Sequence, residues 1–334
     1  MTKREIIKTV LDGKKPPYVP WSFKYTQEPK ETLQKHFKTT DLDTVLDNHI
    51  LNLGADVGFF KHIGNNHYQD VFGTVWDRSV DKDIGILINN VLTKPSLQGY
   101  KFPDPHDPRY FENIHSEIDS HKDMFRVYQI GFSLHERAWT LRGFENLLMD
   151  FYENPEFVHE LYSTIVDYNI EQMKKAMEYD IDAIYFGDDW GKQDGLIMGG
   201  DIWREFLKPH LKKMYGFVKQ SGKYLMIHSC GKVDELFNDL TGIGLNSFNP
   251  FQPEVMDVHS IIRKYRGRLA FHGGLSTQQT LPYGSTEDVI RETQKLIDSG
   301  RDGGLIVSPS HSMESDVPLA NMLAMIDTCK KQIR

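Results

Sequence analysis

Two cysteines in 334 residues, Cys230 and Cys329, are too few for a disulfide framework, so the chain reads as a protein of a reducing compartment. No run approaches the roughly 20 consecutive apolar residues that span a bilayer. The opening MTKREIIKTVLDGKKPP has charge but no apolar stretch of signal-peptide length. The expectation is a soluble, cytoplasmic protein with no membrane partner. A basic stripe is also missing: 39 Lys and Arg stand against 47 Asp and Glu, interspersed along the chain, for a net charge of −8. Nucleic acid is therefore not an expected partner, because displacing phosphate counterions needs clustered positive charge. Neither G-x-G-x-x-G after a strand nor G-x-x-x-x-G-K-[ST] occurs, which removes the usual glycine cradles for nucleotide phosphates. The glycine pair in FHGGLST reads as a tight turn.

What recurs is a short apolar run followed by an amphipathic segment. The strand-like runs are Tyr18–Phe23, Ala55–Phe60, Phe125–Ile130, Ala183–Gly187, Tyr224–His228, Asn246–Asn249, Leu269–His272 and Leu305–Ser308. Helical patterns such as DIWREFLKPHLKKMYGFVKQSG and STEDVIRETQKLIDSG lie between the later ones. Alternation of this kind specifies parallel strands joined by helical crossovers. Eight of them predict a (β/α)₈ barrel over residues 1–334, an α/β fold in a single domain. An open doubly wound sheet is the alternative. Residues 64–121, rich in Pro, Asp and aromatics, predict a hairpin-bearing excursion over the barrel mouth, with Trp76, Tyr100, Tyr110 and Phe111 as its local core.

The informative positions are where the strands stop. The runs AIYFGDDWGKQ, YLMIHSCGK, NSFNPFQPE, LAFHGGLST and LIVSPSHSM each pass from apolar residues into Asp, His, Cys, Asn, Gln or Ser. In a (β/α)₈ barrel these C-terminal ends meet at one mouth, where catalytic groups of this fold sit. In an extended chain the two-residue spacing of His228 and Cys230 puts both side chains on one face. An imidazole nitrogen and a thiolate so placed suit zinc, and His311 after the last strand offers a third ligand, leaving a fourth position open. The alternative is a buried thiol beside a hydrogen-bonded histidine. Asp188 and Asp189 are candidate acids or bases, although either could cap a helix. Glu136, Arg137, Trp190, Gln193, Asn249, Gln252 and His272 are candidates for holding substrate, with Gln252 and Glu254 as occasional metal ligands or outer partners.

At these motifs the chain resembles the uroporphyrinogen decarboxylase superfamily, in the branch related to zinc-dependent cobamide methyltransferases. The stretches that carry the resemblance are GDDWGKQDGLIMGGDIWREFLKPHLKK, IHSCGKVDELF, NPFQPE, FHGGLSTQQTLPYGSTEDV and VSPSHSMESDVPLANMLAMID. Likeness is dense from about Phe125 onward and thin before it. The resemblance implies a (β/α)₈ barrel. Decarboxylases of the family carry an arginine-rich segment just after the first strand, where this chain reads VPWSFKYTQEPKETLQ without arginine. In the methyltransferase branch zinc is held by H-x-C after strand five and a cysteine after strand eight, and it activates an acceptor thiol toward a methylcorrinoid. His228 and Cys230 match that pattern, and His311 stands at the third position. One thiolate and two neutral imidazoles leave the ion with a formal positive charge, which lowers the pKa of a bound thiol further but makes the thiolate less nucleophilic.

The resemblance implies a methyltransferase with bound Zn²⁺, a small-molecule substrate and a methylcorrinoid donor on a separate corrinoid protein. No corrinoid-binding motif is expected here: Asp257-Val258-His259 lacks the glycine of D-x-H-x-x-G and reads as a helix start. The rival readings are a metal-independent decarboxylase or lyase on a small acidic substrate, and a non-catalytic partner of a corrinoid protein.

Overall fold

The computed structural model describes residues 1–333. In chain order its strands are β1 (Ile50–Leu53), β2 (Phe60–Gly64), β3 (His67–Asp70), β4 (Val75–Asp77), β5 (Ile86–Leu87), β6 (Phe125–Ile130), β7 (Ala183–Gly187), β8 (Gly191–Lys192), β9 (Gly195–Leu196), β10 (Tyr224–His228), β11 (Ser247–Phe251), β12 (Ala270–Leu275) and β13 (Leu305–Pro309). Seven of them form one parallel sheet in the order β1-β6-β7-β10-β11-β12-β13. The segment Pro20–Phe23 joins its two edges. On one side Val307 N donates to Pro20 O at 2.8 Å and Ser22 N to Val307 O at 3.1 Å; on the other His49 N donates to Trp21 O at 3.1 Å. The curled sheet thus closes as a (β/α)₈-type barrel. Pro20 has no N–H for the ladder, so the first position contributes a bridge rather than a full strand.

Alternation along each strand divides the core in two. Inward-pointing Ile50, Phe125, Val127, Ala183, Tyr185, Met226, Ala270 and Ile306 pack together with Ile7, Val10 and Leu11 of the helix Lys3–Leu11, which closes one end of the barrel. Outward-pointing Tyr128, Ile130, Ile184, Phe186, Leu225, Ile227, Phe248, Phe271, Leu305 and Val307 pack under the surrounding helices. Because side chains alternate with period two, the next inward positions along the strands are Gln129, His228, Asn249 and His272. The barrel interior therefore turns from apolar to polar toward the strand C-termini.

Several strand expectations need correction: the seventh strand is Ala270–Leu275 rather than Leu269–His272, so the glycine pair lies within it and not in a tight turn, and the eighth runs to Pro309. The second strand is Ile50–Leu53, not Ala55–Phe60: Gly54 and Gly58 have φ of 85° and 91°, outside the extended region, so that apolar stretch turns. The sixth is Ser247–Phe251 rather than Asn246–Asn249. The excursion begins at Phe60, and β2–β5 form a four-stranded antiparallel sheet. Trp76, Tyr110 and Phe111 are buried in it and against the barrel. Asp257 caps the helix Val258–Tyr265 by accepting from Ser260 N at 3.1 Å.

The inserted sheet is tied to the barrel through Asp70. One carboxylate oxygen accepts from Phe72 N and Thr74 N, both at 2.9 Å, and the other from Arg137 Nη1 at 3.0 Å. The Arg137 guanidinium lies 3.7 Å from the Phe72 ring centroid. Both partners are buried, so Asp70→Ala leaves a desolvated guanidinium without a counter-charge. We predict a loss of about 3–5 kcal/mol in urea unfolding. A loss below about 1 kcal/mol would show that the pair does not anchor the insert.

Candidate metal and substrate site

The strand ends open into a cavity of about 240 Å³. His228 and His311 line it, and together with Cys230 they offer three donor atoms that all lie within 4.8 Å of one another. Cys230 Sγ is 3.3 Å from His228 Nε2, and the two imidazole rings meet edge to face at 71°.

The neighbours settle which nitrogen of His228 faces this cluster. Asn249 Nδ2 donates to His272 O at 2.7 Å, so its amide oxygen points the other way and accepts from Tyr185 OH and from His228 Nδ1, both at 2.6 Å. An amide oxygen only accepts, so Nδ1 carries the proton and Nε2 turns its lone pair toward Cys230 and His311. Burial holds both imidazoles down to about 4, helped at His228 by Lys24 and at His311 by His228. Both are thus neutral at pH 7, as ligation requires. Burial, then Asp189, pushes the Cys230 thiol well above its usual range. A divalent ion reverses that preference by taking the thiolate as ligand. The donor set and its tautomer fit zinc, with the exposed His311 leaving one side of the cluster open.

Backbone contacts fix the turn that presents Cys230. Its N–H donates to Asp189 Oδ1 at 2.8 Å, and Gly231 N donates to Gln252 Oε1 at 2.8 Å. Gly231 has φ 84° and passes Gly191 so closely that a Cβ would meet its carbonyl carbon at 2.4 Å. No side chain fits there, which accounts for the glycine after H-S-C.

The other sequence candidates separate into distinct places. Asp189, Glu136 and Asn249 line the cavity. Burial, followed by Asp189 and Asp188, holds the Glu136 carboxyl well above its usual range. Asp188 is buried away from the cavity: Oδ1 accepts from Leu134 N and Glu136 N at 3.2 and 2.8 Å, and Oδ2 from Trp190 Nε1 at 2.5 Å. It thereby satisfies backbone N–H groups at the start of the helix His135–Arg142 and does not line the cavity. Trp190 is buried against Trp203, and Arg137 is committed to Asp70. Gln193 is exposed at the tip of the β8–β9 hairpin. Gln252 supports the Cys230 turn from outside the lining. His272 is buried, with both ring nitrogens unpartnered among the described residues.

The cavity also holds residues that sequence reading passed over, chiefly Lys24 and Asp56. Lys24 follows the first barrel segment directly, so the strand-end rule that found the later motifs points to it as well. Asp56 was hidden by the misplaced second strand.

The family model for uroporphyrinogen decarboxylase (URO-D) matches residues 137–332, more than half of the chain. The chain belongs to the uroporphyrinogen decarboxylase family. Among its relatives is a methylcobamide:CoM methyltransferase MtbA of Methanosarcina acetivorans, 22% identical over 251 residues that make up 73% of this chain and 69% of that protein. The MtbA of Methanosarcina mazei is 22% identical over 223 residues, and the match spans 67% of this chain and 61% of that one. A uroporphyrinogen decarboxylase of Ruthia magnifica is 21% identical over 291 residues, covering 74% of this chain and 80% of that one. The solved structure of a methyltransferase from Methanosarcina mazei superposes over 99% of both chains with a TM-score of 0.75 at 16% identity, a likeness of fold.

Asn249 gives the site a test of its own. Removing the acceptor that holds His228 in the Nδ1–H tautomer should weaken zinc binding by about 10- to 100-fold. We predict that shift for Asn249→Ala in chelator competition, with the thermal transition retained. Unchanged affinity would mean that the hydrogen bond does not orient the ligand.

Proposed function

We propose that this protein is a zinc-dependent methyltransferase that moves a methyl group from a methylcorrinoid, carried on a separate protein, to a thiol-type acceptor. The observation that carries this reading is the convergence of donor atoms of His228, Cys230 and His311 within 4.8 Å of one another, with His228 locked by Asn249 in the ligating tautomer. Similarity to methylcobamide:CoM methyltransferases supports it.

When bound, the ion supplies a Lewis-acidic centre that lowers the pKa of an acceptor thiol. The chain supplies the rest. Asp189 faces the cavity with Oδ1 engaged by Cys230 N–H, leaving Oδ2 to take the proton that the thiol gives up; burial keeps its carboxyl above the usual range and so nearer to a useful base. Tyr185 and Asn249 hold the ligand imidazole still. Phe132 and Val57 line the cavity and give it apolar wall that limits water near the reacting sulfur.

The decarboxylase reading has less support at the site. Among the described residues Lys24 is the only lysine or arginine lining the cavity, against Asp56, Glu136 and Asp189. That balance is poor for a substrate with several carboxylates.

The test is methyl transfer from methylcobalamin to a panel of thiols, with zinc-loaded and chelated protein. Zinc-dependent turnover is expected. It should fall in His228→Ala, Cys230→Ala and His311→Ala by more than the roughly 10- to 100-fold typical of outer partners. Turnover that survives complete removal of zinc, or none with any donor and thiol, would overturn the assignment.

A further inference from the structure

Away from the three donors the cavity carries an arrangement that metal binding does not use. Lys24 leaves the Pro20–Phe23 segment with its Nζ 4.5 Å from the Tyr185 ring centroid, and Asp56 follows β1; both line the cavity. They bear opposite charge, and each is the only charged group that acts appreciably on the other. Yet among the described residues neither side chain takes part in a hydrogen bond or in an ion pair within 4.0 Å. Asp56 Oδ1 lies against the Gly131 backbone so closely that a Cβ on Gly131 would sit 2.7 Å from it. The carboxylate thus stands beside the end of β6, exposed and without a protein donor among the described residues.

Lys24 is half-buried and Asp56 exposed at the cavity rim, so two opposite charges that do not pair with each other are both open to a ligand. Desolvation holds the half-buried Lys24 ammonium below its usual range, while Asp56 stands exposed. A purely anionic ligand on Lys24 would leave Asp56 unpaired and meet repulsion from Asp56 and Asp189. A purely cationic ligand on Asp56 would leave Lys24 unpaired. A ligand with one charge of each sign satisfies both, and the volume of about 240 Å³ admits only a small molecule, below the roughly 300–1,000 Å³ of drug-sized sites.

We propose that the acceptor is a zwitterionic amino-acid thiol, with its carboxylate on Lys24, its ammonium on Asp56 and its sulfur at the His228–Cys230–His311 cluster. This rests on the methyl-transfer reading for the role of the sulfur, but the charge-pair subsite is a separate feature.

The experiment is calorimetric titration of the zinc-loaded full chain with three thiols of equal reach: homocysteine, 4-mercaptobutyrate without the amine, and 3-mercaptopropylamine without the carboxylate. Homocysteine is expected to bind at least about tenfold more tightly than either, since a site built for a polar group rejects the analogue that lacks it. Asp56→Asn should erase the advantage over 4-mercaptobutyrate, and Lys24→Met the advantage over 3-mercaptopropylamine. Equal binding of 4-mercaptobutyrate and homocysteine by the wild type would overturn the proposal, and that comparison needs no variant to fold.

Two further measurements separate this proposal from the reading beneath it. One compares the thiol-free pair 2-aminobutyrate and butyrate; the other follows the visible spectrum of the Co²⁺-substituted protein as thiol is added. Preference for 2-aminobutyrate with no spectral response to any thiol would retain the subsite and sink thiol activation. Spectral responses to all three thiols without charge preference would retain the metal site and sink the subsite.

Discussion

Closure of the parallel sheet through Pro20–Phe23 is the constraint on which the rest of the site depends. The two backbone hydrogen bonds to Val307 and the one from His49 bring the last strand beside the first segment. His311, two residues past β13, can then face His228 at the end of β10, although 83 residues separate them in the chain. β10 lies in the middle of the sheet and β13 at its edge, so an open, flat sheet would leave His311 three strands away from His228 instead of across the mouth from it. Closure also places Lys24 in the same cavity.

Within that frame, period-two alternation sorts the chemistry. Each strand puts apolar residues into the lower barrel and a polar group one or two steps later, so the cavity is built on the stiffest part of the molecule. His228 illustrates the consequence. Its ring is set by Asn249 on the neighbouring strand, and Asn249 is set by Tyr185 and by the carbonyl of His272. That chain of hydrogen bonds crosses β7, β10, β11 and β12, and it orients a ligand lone pair without a loop taking part.

How far the sequence speaks differs along the chain for physical reasons. Phe125–Ile130, Ala183–Gly187 and Tyr224–His228 were legible to the residue because parallel strands buried on both faces read as continuous apolar runs bounded by turn signals. The metal-site candidates were legible because those runs end in ligand-type side chains. The second strand was not, since ILNL is short and the longer apolar run that follows it is broken by two glycines in left-handed turns. Asp188 and Asp189 are adjacent and chemically alike, and only the fold tells them apart: one satisfies backbone N–H groups at a helix start and the other faces the cavity. Arg137 looked available to a substrate because its partner, Asp70, lies 67 residues away in the insert. Lys24 belongs to no motif of its own, and the stretch around it, VPWSFKYTQEPKETLQ, is distinguished in sequence only by lacking arginine.

The central claim is that one ion is held by one sulfur and two imidazole nitrogens. Zinc-edge X-ray absorption on the purified protein tests it most directly. The account predicts a shell of one sulfur at about 2.3 Å and two or three nitrogen or oxygen atoms at about 2.0 Å, with the sulfur contribution absent in Cys230→Ala. A shell with two sulfurs, a shell of oxygens alone, or protein that takes up no zinc would contradict it.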